Sequence, residues 1–156
     1  MTGQLAVTRA ALDAVLAHAR ESLPDECCGL LLGLSGDAPA DEAARFDNLA
    51  DRYHAADPAA FPRTARTAYV MDASRVRAAI ARGAATGRPV RAIYHSHPAR
   101  GAYFSDEDEA MARAADDLLA DVAWLVAGAQ GEVRAYAYDP VRDAFVERVV
   151  TVVSAS

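Results

Sequence analysis

Three side chains in one short stretch have the types and spacing for metal chemistry. The stretch reads His95-Ser96-His97-Pro98-Ala99-Arg100-Gly101-Ala102-Tyr103-Phe104-Ser105-Asp106-Glu107-Asp108. On a strand, residues two apart face the same way, so His95 and His97 can present both imidazoles to one point. Pro98 ends such a strand. Asp108 then brings a carboxylate from the first turn of a helix. Two imidazoles and one carboxylate form a three-ligand set for catalytic Zn2+, with a position left for water. Each piece also has an ordinary reading. A lone His-x-His is commonly a strand feature, and Ser105 with Asp108 is a capping box with Asp where Glu is usual. Asp106 to Glu109 can be a solvated acidic first turn that favours the helix dipole.

A hydrolytic metal site needs a base as well. Composition does not single one out among 22 acids. Resemblance does. Glu26-x-x-Gly29, then His95-x-His97-Pro98, Ser105 and Asp108 resemble the JAMM motif of the MPN (Mov34) metallopeptidases at every ligand spacing. The resemblance runs from about Leu5 to Tyr138 and includes Tyr69-Val70-Met71-Asp72 ahead of a helix. It implies that His95, His97 and Asp108 hold zinc. Glu26 would hold and deprotonate the attacking water, and Ser105 would hydrogen-bond the oxyanion. The implied fold is α/β (α+β), a cytidine-deaminase-like mixed β-sheet flanked by helices, in a single domain spanning 1–156.

The compact length and Glu26-Cys27-Cys28-Gly29-Leu30-Leu31-Leu32-Gly33 are similar to bacterial stand-alone members of that family. For these the resemblance implies a partner: a ubiquitin-like or sulfur-carrier protein ending in Gly-Gly, in cysteine or cofactor biosynthesis. An insertion that grips a second ubiquitin has little room here. Two rivals stand beside this reading, a general small-peptide amide hydrolase and a zinc-stabilised binding or scaffold module. Arg100, Tyr103 and Phe104 flank the ligands and are candidate substrate contacts. Cys27 and Cys28 are either thiol ligands or core residues, and the apolar run after them favours the core.

The elements that must position these groups can be read along the chain. Residues 8–22 form a helix capped by Thr8, with Leu12, Val15, Leu16 and Ala19 on one face. His18 falls on its polar or boundary side. Cys28–Leu34 is a buried strand and 41–49 a weaker partner. Residues 50–67, rich in Asp, Pro and Ala, read as a long loop beside the site, with His54 exposed in it. A strand over 67–71, a helix over 73–86 capped by Asp72, and a strand over 90–95 follow. A helix begins at Ser105, and strands cover 122–127, 132–138 and 144–152, with Trp124 in the core.

Composition bounds the rest. The 156 residues hold 38 Ala but only 32 Leu, Ile, Val and Phe, so the core is modest and must be built from clustered runs. Net charge is −6 with 16 basic residues, all Arg. The acidic balance argues against nucleic acid and anionic membranes as partners. The N-terminal apolar stripe is interrupted by Arg9, Asp13 and His18, unlike a signal peptide. Two adjacent cysteines cannot staple distant segments, which points to reduced thiols and a cytoplasmic protein.

Overall fold

The structure is a computed structural model describing residues 3–115 and 117–154. The twofold alternation of buried residues sets its architecture. In β2 (Cys28–Leu32) and β4 (Val90–Ser96) successive side chains go to opposite faces of one sheet, and both faces are covered. Leu31 and Tyr94 join Leu5, Val7, Leu12, Val15 and Leu125 on one side. Leu30, Leu32 and Ile93 join Val76, Ala79, Leu119 and Trp124 on the other. Burial on both faces explains why β2 reads as an unbroken apolar run.

The remaining strands are β1 (Gln4–Thr8), β3 (Glu42–Phe46), β5 (Ala123–Ala127), β6 (Val133–Asp139) and β7 (Ala144–Val153). The seven lie in the order β1-β7-β6-β5-β4-β2-β3. Pairing is parallel for β1 with β7 and β4 with β5, and antiparallel elsewhere. The expected mixed sheet flanked by helices is what the chain forms.

Helix α1 (Arg9–Ser22) covers the first face. The Thr8 hydroxyl accepts from Ala11 N, and Ala11, Leu12, Val15 and His18 are buried at helical spacing. His18 is thus a correction: it is interior, sharing a 2.7 Å hydrogen bond with the Tyr94 hydroxyl. A buried imidazole needs such a partner. Helix α3 (Ala73–Ala85) covers the second face, capped by the Asp72 carboxylate on Ser74 N and Arg75 N. The chain leaves it at Gly87, where φ is +73°.

Three expectations change. Strand β1 was not anticipated. It is five residues long, and its partner β7 is over a hundred positions away in sequence. The 50–67 loop contains helix α2 (Ala50–Ala56), which buries only Ala50 and so leaves no apolar stripe to read. Residues 67–71 form no strand. Leu49 N donates to Val70 O, Thr67 N donates to Thr64 O, and Ala68 O and Val70 N bond a side chain described below. Cys27 and Cys28 are free and buried, as core residues are.

Candidate active site

His95 lies inside β4 and His97 one residue beyond it, where His97 N still bonds Ala127 O of β5 at 2.8 Å. Alternation turns Ser96 the other way. Its hydroxyl accepts from Cys27 N at 2.8 Å, and Ser96 N bonds Cys27 O at 3.2 Å. Cys27 is thereby stitched to the residue between the two histidines, and Glu26 arrives beside them. Gly29, the other fixed residue of that turn, is required by packing. A Cβ there would sit 2.5 Å from the Tyr94 ring.

Helix α4 (Asp106–Arg113) supplies the carboxylate. Its capping box is complete: Ser105 Oγ accepts from Asp108 N at 3.0 Å, and Asp108 Oδ2 accepts from Ser105 N at 3.1 Å. The same carboxylate lies 3.1 Å from His95 Nε2 through Oδ1 and 3.1 Å from His97 Nε2 through Oδ2. The cap and the ligand readings of this pair are therefore both true. One pair of bonds fixes the helix start and aims Asp108.

The ligand atoms of His95, His97 and Asp108 lie within 4.8 Å of one another, and all three residues are buried. His97 Nδ1–H donates to Gly101 O at 2.8 Å, so Nε2 is the ring nitrogen turned to the cluster. That nitrogen faces His95 Nε2 at 3.3 Å. Burial holds His95 below its ordinary value, toward the neutral form. Burial alone would raise the Asp108 carboxyl, but the two imidazoles outweigh it and hold the group well below the carboxylate range. Two imidazole nitrogens and a carboxylate converging without a cationic side chain between them are electron-rich, and the donor set fits a divalent metal.

Glu26 is 2% exposed. Its Oε1 is buried without a hydrogen-bond partner in the described structure, and Oε2 lies 3.6 Å from Arg100 Nη2. Burial pushes its carboxyl up to about 7, against the opposing effects of His97 and Arg100. A carboxylate poised near neutrality is suited to taking and returning a proton.

Of the three candidate substrate contacts, two stand at the rim. Arg100 donates to the Tyr103 hydroxyl at 2.9 Å, and half-exposed Tyr103 sets its ring edge to His97 at 5.4 Å. Phe104 does not join them: its ring stacks on Tyr136 and packs against Phe145. His54 sits on α2, its Nδ1 bonded to Phe61 O. Two residues went unsingled in the sequence. Tyr69 is buried and stacks on His95 at 4.5 Å between centroids, with the rings 20° apart. Asn48 ties Glu26 to the segment around Tyr69. An aromatic ahead of a helix cap was visible, but its stacking partner was not.

The family described as prokaryotic homologs of the JAB domain matches residues 8–139. The chain belongs to the JAB/MPN family. This family includes zinc metalloproteases. Solved structures carry the same fold. A Desulfitobacterium hafniense protein superposes with a TM-score of 0.71 at 23% identity, covering 97% of this chain and 94% of its own. A Salinibacter ruber protein gives 0.61 at 24%, covering 96% and 92%. A JAB1/MPN domain protein from Archaeoglobus fulgidus gives 0.55 at 19%, covering 94% and 99%. A comparison with curated proteins finds no match. Among the described residues, no helix is long and apolar enough to cross a membrane.

Proposed function

We propose that this JAB/MPN-family protein is a zinc metallopeptidase hydrolysing the amide or isopeptide bond after the C-terminal Gly-Gly of a ubiquitin-like or sulfur-carrier protein. The observation that carries the reading is Glu26, a buried carboxylate with an unpartnered oxygen beside the His95–His97–Asp108 cluster. A scaffold would have no use for a base there, and burying one without a partner is costly.

His95, His97 and Asp108 would hold the zinc. When bound, zinc supplies Lewis acidity, lowering the pKa of water to about 7 and polarising a carbonyl. Glu26 Oε1 takes the proton of the attacking water and later returns it to the leaving amine. The Arg100 guanidinium, 3.6 Å from Oε2, orients the carboxylate. Ser105 Oγ accepts from Asp108 N, which leaves its hydroxyl proton free to donate to the oxyanion. Such a donor contributes about 3 kcal/mol. His97 keeps its tautomer through Gly101 O throughout.

Access to the site supports the proposed substrate class. Arg100 and Tyr103 form an open rim, which suits an extended tail. Two glycines beside the scissile bond let the tail approach buried ligands without side-chain clashes. Support for the sulfur-carrier class comes from the likeness of the Glu26–Gly33 segment to compact bacterial members. A folded ubiquitin-like protein extended beyond its Gly-Gly end should be cut after the last glycine, as read by mass spectrometry. A bulky residue in place of that glycine should abolish cleavage. Equal cleavage of unrelated unfolded peptides would favour a general hydrolase instead.

A further inference from the structure

One side-chain amide bonds to Glu26, to the 68–70 segment and to the start of α2. Asn48 Nδ2 donates to Glu26 O and to Ala68 O, each at 3.0 Å. Its Oδ1 accepts from Ala50 N at 3.0 Å and from Val70 N at 3.1 Å. The two amide hydrogens and both carbonyl lone pairs are used, and these partners fix which way the amide points. Ala68 and Val70 bracket Tyr69, so Asn48 grips the backbone on both sides of the ring that stacks on His95. The neighbouring backbone adds Leu49 N to Val70 O at 2.8 Å. Asp51 Oδ1 accepts from Ala65 N at 2.8 Å, and Ala65 O accepts from Glu26 N at 2.8 Å. Residues 48–51 thus clasp Glu26 and the 65–70 segment together.

We propose that Asn48 is a positioning residue, whose amide fixes the proton-transferring Glu26 and the His95-stacking Tyr69 relative to one another. Asn48 bonds none of the candidate metal ligands; it acts through Glu26 O and through Ala68 O and Val70 N on either side of Tyr69. Its two halves have separable jobs. Oδ1 accepts from Ala50 N and Val70 N, which is structural. Nδ2 joins Glu26 to the Tyr69 segment, which is the functional half. Side chains placed about 1 Å wrong can cost about 100-fold in rate.

Asn48→Asp separates the halves, because it keeps the acceptor for Ala50 and Val70 and loses both donated bonds. The kinetic arm rests on the hydrolase reading, and the second arm does not. In the first, kcat on a Gly-Gly-extended ubiquitin-like protein should fall about 10- to 100-fold with KM, zinc content and melting temperature near wild type. In the second, proton NMR of the His95 imidazole at pH 8 reads the Tyr69 ring current. The upfield shift of the wild type should shrink in Asn48→Asp. Asn48→Ser, which keeps a hydroxyl acceptor for Ala50 N, replaces the Asp variant if that one does not fold. Unchanged kcat with unchanged His95 signals would overturn the proposal. So would a loss of kcat that tracks melting temperature while the His95 signals stay put. If the wild type itself shows no turnover, the hydrolase reading fails separately and the His95 signals alone decide the positioning role.

Discussion

Glu26 carries two opposed demands, since a base must be charged to act and burial favours its neutral form. Glu26→Gln keeps the size and cannot take a proton. It should retain zinc and fold while turnover drops at least about 100-fold. Its thermodynamic signature can be read without substrate. In metal-free protein the folded carboxyl titrates near 7, against an ordinary value of 4.5. Between those values the folded state binds more protons than the unfolded one. Stability present below pH 4.5 is therefore lost as pH rises through 7. Metal-free Glu26→Gln lacks that loss, so its advantage over wild type should be greater at pH 8 than at pH 4.5. The gap amounts to at most about 3 kcal/mol. Denaturant melts of both proteins at the two pH values measure it, and parallel pH profiles would count against a buried carboxyl. At this scale the three ligands were legible in residue type and spacing, whereas Glu26 was picked out among the acids only by the resemblance of Glu26-x-x-Gly29 to the JAMM motif. Asn48 was not legible. A polar residue ahead of a loop carries no mark of the four backbone groups it will meet.

Elements place these groups, and the start of α4 is where placement and ligation share atoms. Ser105→Ala removes the acceptor for Asp108 N, which costs about 1 kcal/mol of cap. The bond from Ser105 N to Asp108 Oδ2 comes from the main chain and survives, so Asp108 stays aimed and zinc affinity should remain near wild type in a chelator competition. A fall of about 10-fold or more would mean that the hydroxyl bond to Asp108 N is what aims the carboxylate. In β2, Gly29→Ala would press a Cβ onto the Tyr94 ring and the Ala44 carbonyl. Overpacking of this kind costs about 1–3 kcal/mol by denaturant melt. Helices α1 and α3 were legible from cap and periodicity together, as Thr8 with Leu12 and Val15, and Asp72 with Val76 and Ala79. Helix α2 has neither: Leu49 makes no side-chain cap bond, and only Ala50 is buried. The 67–71 segment reads as a strand in sequence, yet its partners include the Asn48 amide in place of a strand. Propensity could not distinguish those two outcomes. Strand β1 was missed for a related reason, since its pairing partner lies at the far end of the chain.

On the scale of the whole molecule, the site joins β4, the turn into β2 and the start of α4. A bound metal therefore ties together parts far apart in sequence. A ligand that binds only the folded state stabilises it by mass action. At zinc about 100-fold above its dissociation constant the gain is about 2.7 kcal/mol. For a chain of this size that corresponds to roughly 5–10 °C in melting temperature, which excess chelator should remove. The central claim is that the buried His95–His97–Asp108 cluster is a zinc site. Elemental analysis of gently purified protein, beside Asp108→Ala and His97→Ala, tests it most directly. The wild type should hold about one zinc per chain, and both variants should lose it while remaining folded by circular dichroism. Wild-type protein that carries no metal and takes up none on titration would contradict the account.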